Sequence, residues 1–232
     1  MAGLDCAARA IRADPDLGYA YEVALALVAG ASSLGYSDLV ARYQPVVDGW
    51  VKKATELSTG SPSFRAILTM FRYVQSGDVA QARADAGKIL RDLPFDPEAL
   101  LFAGYVFNFI SEPHSALECF DKFNDVARHH HFVASARNGA GGACVMLGRY
   151  DDALVHLDAA LHMAPGYIAA YRWRAAALAN LGRLDEARAT LAEHDRFQPG
   201  QTTAIVRAGS NYVRSPETDR YLDGLRLAGM PE

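Results

Sequence analysis

The chain has 232 residues, 50% of them apolar, and its 23 basic and 27 acidic side chains give a net charge of −4. This content suffices for a sizeable core, and the absence of a basic cluster argues against a nucleic-acid partner. No apolar run approaches the roughly 20 residues of a membrane span, and the first ten residues lack the apolar run of a signal peptide. The sequence therefore predicts a soluble cytoplasmic protein with three reduced cysteines and no membrane partner.

At the N terminus, Leu4 to Ala13 predicts one amphipathic helix, ended by Asp14-Pro15. Its pattern is that of the second helix (helix B) of a helix–turn–helix unit, so residues 1–15 form a partial unit without a first helix (helix A). An unpaired helix B exposes an apolar face. Two interpretations stay open: the chain is the downstream piece of a longer protein, or this bare face binds a partner, including a second copy of the chain.

Residues 16–62 predict a complete helix pair with surplus residues. Pro15 and Pro62 look like the ends of units, but they are 47 residues apart, 13 more than the 34-residue period found further on. We assign the surplus to an enlarged turn from Ser32 to Val46, between helices at about Tyr19 to Gly30 and Val47 to Ser58. An insertion in one turn is readily tolerated by a stack of helix pairs.

Four units of nearly constant length are predicted in residues 63–200. The run Gly148 to Ala153 has a counterpart 34 residues later, Gly182 to Ala187. A small residue that allows helix B to pack on helix A recurs at Ala82, Ala116, Ala153 and Ala187. The spacings are 34, 37 and 34, so the third unit is preceded by three extra residues.

Residues 201–232 predict C-terminal capping helices. A short helix is expected from Thr202 to Ala208, and Ser215-Pro216 predicts the start of a last helix that ends near Ala228 at Gly229. Helical spacing predicts that Tyr221, Leu222 and Leu225 face inward and that Asp219, Arg220, Asp223 and Arg226 face water.

A fixed period of 34 residues, with glycine, alanine and proline in phase, resembles the tetratricopeptide repeat (TPR). The resemblance implies an all-α TPR-type solenoid, a right-handed superhelix of antiparallel helix pairs. The runs Ala170 to Arg188 and Tyr221 to Glu232 also resemble the C-terminal TPR region of bacterial class III adenylate/guanylate cyclases. That resemblance implies a regulatory module whose catalytic domain lies outside this chain.

TPR proteins commonly bind peptides in the concave groove lined by their A helices, and helical spacing predicts which side chains line it. Motif positions 2, 5, 9, 12 and 13 form one stripe, aromatic in the first units and richer in amide and small groups later. The predicted peptide-binding residues are Phe64, Ile67, Phe71, Leu101, Tyr105, Asn108, Phe109, Asn138, Arg172 and Asn180. The alternative is that the aromatic side chains pack against neighbouring A helices or against residues 32–46 folded into the groove.

No residue pattern predicts catalysis, a cofactor or a metal ion. The pairs Asp151-Asp152 and Asp185-Glu186 fall in repeat turns, where acidic residues are expected to cap helix B. His129 to His131 are interpreted as a solvated linker, because adjacent histidines point in different directions.

Three glycines share one A helix, Gly139, Gly141 and Gly142. Gly141 occupies a motif position that needs a small residue. The other two either mark a flexible joint or let neighbouring side chains approach.

The sequence thus predicts a non-catalytic scaffold for protein–protein contacts. Three versions stay open: a C-terminal regulatory module of a larger bacterial protein, a part of a nucleotide cyclase, and a free-standing adaptor that associates through its first helix.

Overall fold

The computed structural model describes residues 2–33, 37–57 and 62–232, and within these ranges it contains thirteen α-helices and no strand. The helices are α1 Ala2–Ala13, α2 Gly18–Ser33, α3 Ser37–Glu56, α4 Pro62–Ser76, α5 Val79–Asp92, α6 Pro97–Phe109, α7 Pro113–Val126, α8 Val133–Met146, α9 Tyr150–Met163, α10 Ile168–Asn180, α11 Leu184–Phe197, α12 Thr203–Ala208 and α13 Pro216–Leu227. The chain divides into two compact units, residues 1–103 and 104–232, and the division falls inside α6.

In the first unit, helix α1 is not bare on its apolar side. Leu4, Ala7, Ala8 and Ile11 are all buried, and α1 packs against α2. The hydroxyl of Tyr43 in α3 also donates a hydrogen bond to the carboxylate of Asp5. The expectation of an exposed apolar face on the first helix is therefore wrong, since α2 covers it.

The predicted enlarged turn from Ser32 to Val46 is also wrong where the structure describes it. Helix α2 continues to Ser33 and α3 begins at Ser37, with Pro45 inside α3; residues 34–36 lie outside the described residues. The reason is an apolar stripe at helical spacing that crosses the proline. Its buried members are Tyr43, Val47, Trp50, Val51 and Ala54. The surplus residues thus lengthen helix B, and α3 has 20 residues.

The spacing of the units is confirmed by the backbone of the turns between helices A and B. The residues at these turns have positive φ: Gly77 at 66°, Ser111 at 61°, Gly148 at 73° and Gly182 at 76°. They follow one another at the predicted intervals of 34, 37 and 34. Ser111 stands where the other units have glycine, and it is the one non-glycine residue of the described chain with positive φ.

The acidic pairs after these turns do not cap helix B. The N-cap residues are Arg149 for α9 and Arg183 for α11, and neither makes a side-chain capping bond. Each arginine instead pairs with an acidic residue three positions later, Asp152 at 2.8 Å and Glu186 at 2.7 Å. The two arginine–carboxylate ion pairs therefore repeat with the 34-residue period.

The three glycines of α8 allow close approach. A Cβ atom built on Gly139 would lie 2.3 Å from the ring of Phe120, and one on Gly141 would lie 2.5 Å from Leu157. A Cβ atom on Gly142 would meet the ring of Trp173 at 3.1 Å. Packing, rather than a flexible joint, explains all three.

Candidate peptide-binding face

Six of the predicted groove residues lie in the second unit, on the stripe of side chains that was predicted along the A helices α6, α8 and α10. We call this stripe the inner face; its predicted members are Tyr105, Asn108, Phe109, Asn138, Arg172 and Asn180. Tyr105 is a polar centre of this face. Its hydroxyl donates to the Ser135 carbonyl at 2.8 Å, lies 3.3 Å from the Tyr167 hydroxyl, and accepts from the Asn138 amide at 3.4 Å. Burial raises the pKa of Tyr105 well above its usual value, so this hydroxyl stays protonated.

The two asparagines connect neighbouring A helices but leave polar atoms unused. The Asn108 amide donates to the Gly139 carbonyl at 2.9 Å. Both asparagines are buried, and the side-chain oxygen of each has no hydrogen-bond partner. A buried acceptor without a partner destabilises a fold by about 1–3 kcal/mol.

The guanidinium group of Arg172, on α10, contacts two side chains near the end of α11, Gln198 and His194. One of its terminal nitrogens donates to Gln198 at 3.2 Å and lies 3.5 Å from a ring nitrogen of His194. Its Nε atom is buried without a partner. Arg172 thus brings a positive charge and an unused donor to the inner face.

The inner face is occupied by the chain itself. Residues 209–232, which we call the tail, leave α12, run without helix from Ser210 to Arg214, and end in α13. The Tyr212 ring lies edge-on to Phe109 at 5.1 Å and to Trp173 at 5.7 Å. The backbone N–H of Val213 donates to the Phe109 carbonyl at 2.8 Å. The inner face therefore holds a non-helical stretch of chain by two ring contacts and one backbone hydrogen bond.

Helix α13 continues along the same face, against α8 and α10. Tyr221 stacks on Trp173 with ring centroids 3.8 Å apart, and burial raises the pKa of its hydroxyl. A Cβ atom on Gly224 would lie 2.4 Å from the Asn180 amide and 2.8 Å from the carbonyl of Ala176. Only glycine at this position allows the two helices to lie this close.

The predicted capping helices exist, and most of their predicted details are confirmed. Helix α13 begins at Pro216 with Ser215 as N-cap in a capping box, and Gly229 has φ 97°. Tyr221, Leu222 and Leu225 are buried, and Asp219, Asp223 and Arg226 are exposed. Arg220 is the exception. It is half-buried and donates to the Met146 carbonyl of α8, so the prediction that it faces water is wrong.

A polar clasp fixes the start of α13. The Ser111 hydroxyl lies 2.6 Å from that of Ser215 and 3.2 Å from a carboxylate oxygen of Glu217. The pKa of Glu217 is lowered, chiefly by backbone and Ser215 hydrogen bonds at the helix start. Ser111, the residue with positive φ, thus contacts the tail.

The other four predicted groove residues, Phe64, Ile67, Phe71 and Leu101, lie in the first unit. All four are buried, with at most 8% of the residue exposed. In this conformation an external peptide does not reach them, and their role in binding stays a prediction.

The sequence argument missed two aromatic residues of the inner face, Trp173 and Tyr212. Trp173 stands one position after Arg172, off the assumed stripe, and Tyr212 lies in a stretch with no helical period. The available signal was the large aromatic side chain in an otherwise polar connection between two predicted helices.

Comparison with known families agrees with this geometry. Two models, both described as tetratricopeptide repeat, match residues 113–168 and 145–208. The matched stretch, residues 113–208, is thus similar to tetratricopeptide repeats. No protein of curated function matches the sequence.

Several solved structures share the fold at low sequence identity. The APC/C hetero-tetramer Cut9–Hcn1 matches with a TM-score of 0.66 and 18% identity over 88% of this chain, which spans 39% of that one. YrrB, described as a TPR protein with an unusual peptide-binding site, matches with a TM-score of 0.52 and 18% identity, over 87% of this chain and 96% of that chain. A TPR protein from Parabacteroides merdae ATCC 43184 matches with a TM-score of 0.53 and 19% identity, over 97% of this chain and 84% of that chain. The fold class, an all-α TPR-type solenoid, is therefore confirmed. Within the described residues, no helix has both the length and the hydropathy needed to cross a bilayer.

Proposed function

We propose that this chain is a non-catalytic scaffold whose second unit binds a protein or peptide partner through the inner face. The observation that carries the proposal is the non-helical run from Ser210 to Arg214, which this face already holds by aromatic contacts and a backbone hydrogen bond. The fold also supports it, because TPR solenoids are typically interaction scaffolds and YrrB is described as having a peptide-binding site.

The face offers three kinds of recognition. Phe109 and Trp173 form the two walls of a slot for an aromatic side chain, a type of anchor often worth about 2 kcal/mol or more. The Phe109 carbonyl accepts a backbone N–H from the ligand. Arg172 favours a carbonyl or carboxylate oxygen next to the slot.

The finer assignment is also a proposal. We propose that the chain acts in the bacterial cytoplasm as a C-terminal regulatory module, with a class III cyclase as the alternative whole protein. The support is the sequence resemblance of Ala170 to Arg188 and Tyr221 to Glu232. The coding sequence upstream of Met1 tests this directly, because a cyclase requires a catalytic domain there. A free-standing adaptor that self-associates remains the further alternative.

Selection of peptides against the full chain tests the binding function. Peptides displayed on phage are enriched on the wild-type chain and then measured by fluorescence anisotropy on three variants. We expect Phe109→Ala and Arg172→Ala to weaken binding at least tenfold, while Val155→Ala, on an exposed position of α9, leaves it unchanged. Enriched peptides that bind all three variants equally would refute the inner face as the binding site.

A further inference from the structure

The tail shows what kind of partner the inner face accepts. We infer that the tail is a displaceable internal ligand, and that the partner segment which displaces it shares its chemistry. That chemistry is a non-helical aromatic–β-branched pair followed, after a short spacer, by a Ser/Thr-Pro-acidic start of an amphipathic helix. In the tail these elements are Tyr212-Val213 and Ser215-Pro216-Glu217. The inference rests on the proposed function and adds the partner class and the competition.

The tail is attached in the way a ligand is attached. Its non-helical part contributes one aromatic side chain to the slot and one backbone hydrogen bond to Phe109, while Asn211 and Arg214 are exposed. Its helical part has a complete capping box of its own at Ser215. A segment with its own start signal and side-chain anchors carries the information for docking in its local sequence.

The end of the tail is held at one further point. The backbone N–H of Thr203 donates to the Pro231 carbonyl at 2.7 Å, and Met230 is buried. Together with the Ser111 clasp, this contact closes the tail over the face at both ends of α13. Release therefore requires the loss of these two end contacts together with the exposure of the buried side chains of α13, Tyr221, Leu222 and Leu225.

The fit between tail and face is incomplete. The side-chain oxygens of Asn108 and Asn138 and the Nε atom of Arg172 are buried without partners while the tail is in place. A partner that offers donors to the two amide oxygens and an acceptor to the arginine gains what the tail leaves unused.

A tail peptide supplied from outside tests the inference on the full chain. A fluorescein-labelled peptide of residues 209–232 is titrated into the wild type and into the variant Tyr212→Ala/Tyr221→Ala, whose own tail lacks both aromatic anchors. We expect the variant to bind the peptide at least tenfold more tightly, because its face is less occupied. Adding Phe109→Ala to the variant should abolish this gain, and adding Val155→Ala should not. Equal binding to wild type and variant, or no binding to either, would overturn the inference.

A covalent lock gives the result even if the double variant folds poorly. The hydroxyls of Ser111 and Ser215 lie 2.6 Å apart, so cysteines at both positions are placed to form a disulfide. Cys6 is exposed and is replaced by serine, whereas Cys119 and Cys144 are buried and burial raises their pKa values to about 12 and about 11. We expect no peptide binding in the oxidised chain and, after reduction, binding at least as tight as that of the wild type, because the reduced cysteines no longer form the serine clasp. Identical binding in both states would contradict displacement of the tail.

The two proposals fail in different ways. If phage-selected peptides depend on Phe109 but bind the oxidised and reduced lock equally, the inference about the tail is wrong and the binding function stands. If neither selected peptides nor the tail peptide depend on Phe109, the inner face is not a binding site at all.

Discussion

Replacement of Gly139 by alanine tests whether the glycines of α8 serve packing. The Cβ atom of the new residue would lie 2.3 Å from one ring carbon of Phe120 and 2.7 Å from two others. Favourable contacts between carbon atoms are about 3.5–4.0 Å long, so the ring has to move by more than 1 Å. A Cβ atom at Gly104, in α6, would lie 2.8 Å from the same ring. The ring is thus enclosed between two helices and fully buried.

The expected magnitude follows from two opposing terms. Overpacking a core costs about 1–3 kcal/mol, and an enclosed ring places this site at the upper end. Alanine in place of glycine in a helix gains about 1 kcal/mol. The sum is a net destabilisation of about 2 kcal/mol, which corresponds to a fall in Tm of about 4–8 °C. A flexible joint would give the opposite sign, because alanine would then stiffen the helix at no steric cost.

Chemical denaturation followed by circular dichroism measures this change. Gly87→Ala is the matched control, because Gly87 is also inside a helix, α5, and its Cβ atom would meet only the end of Arg91 at 3.4 Å. The control should be stabilised by about 0.5–1 kcal/mol. The addition of Phe120→Leu should shrink the Gly139→Ala penalty, since the ring is its cause. A Gly139→Ala chain as stable as the wild type would refute the packing argument.

Three further results are expected from denaturation experiments. Ser111→Ala should be about 1 kcal/mol less stable than Ser111→Gly, because both lose the clasp but only alanine keeps the cost of a positive φ; equal stabilities would contradict this. The free energy of unfolding should fall as the pH drops from 7 to 5, because burial lowers the pKa values of His156 and His194 in the folded chain. In this range the unfolded chain binds protons that the folded chain excludes. The loss of stability is at most about 1.4 kcal/mol per pH unit for each histidine. Replacement of both histidines by glutamine should flatten this profile. Ala7→Asp should destabilise the first unit by about 2–4 kcal/mol, since Ala7 is buried against α2, whereas Arg9→Asp at an exposed position should change stability by less than about 0.5 kcal/mol.

The repeat architecture could be predicted because its signals are local and recur. The counterpart of Gly148 at Gly182 indicates the period, and the same count identifies Ala116 as the small residue of its unit although the turn before it, at Ser111, has no glycine. The last helix could be predicted equally well, because Ser215-Pro216 and Gly229 are start and stop signals within one element. Such features depend on a few neighbouring residues and on a backbone preference.

The path of the tail could not be predicted, because its partners are distant in sequence. Tyr212 contacts Phe109, about one hundred residues earlier, and no local pattern specifies that pairing. The error at Pro45 has a different cause. The predicted turn from Ser32 to Val46 includes this proline, which disfavours a helix interior, but the stripe from Tyr43 to Ala54 buries enough apolar surface to continue the helix through it.

The tail sets how strongly any partner has to bind. A tethered segment competes at an effective concentration of the order of millimolar, and the apparent affinity of a partner falls by the fraction of chains in the open state. If the contacts of Tyr212, Tyr221 and the Ser111 clasp together favour the closed state by about 3 kcal/mol, about 1 chain in 150 is open. A partner segment that binds the open face at 10 nM would then appear to bind at about 1.5 µM. Any event that opens the clasp, such as neutralisation of Glu217 at the start of α13, would raise the apparent affinity without a change in the face.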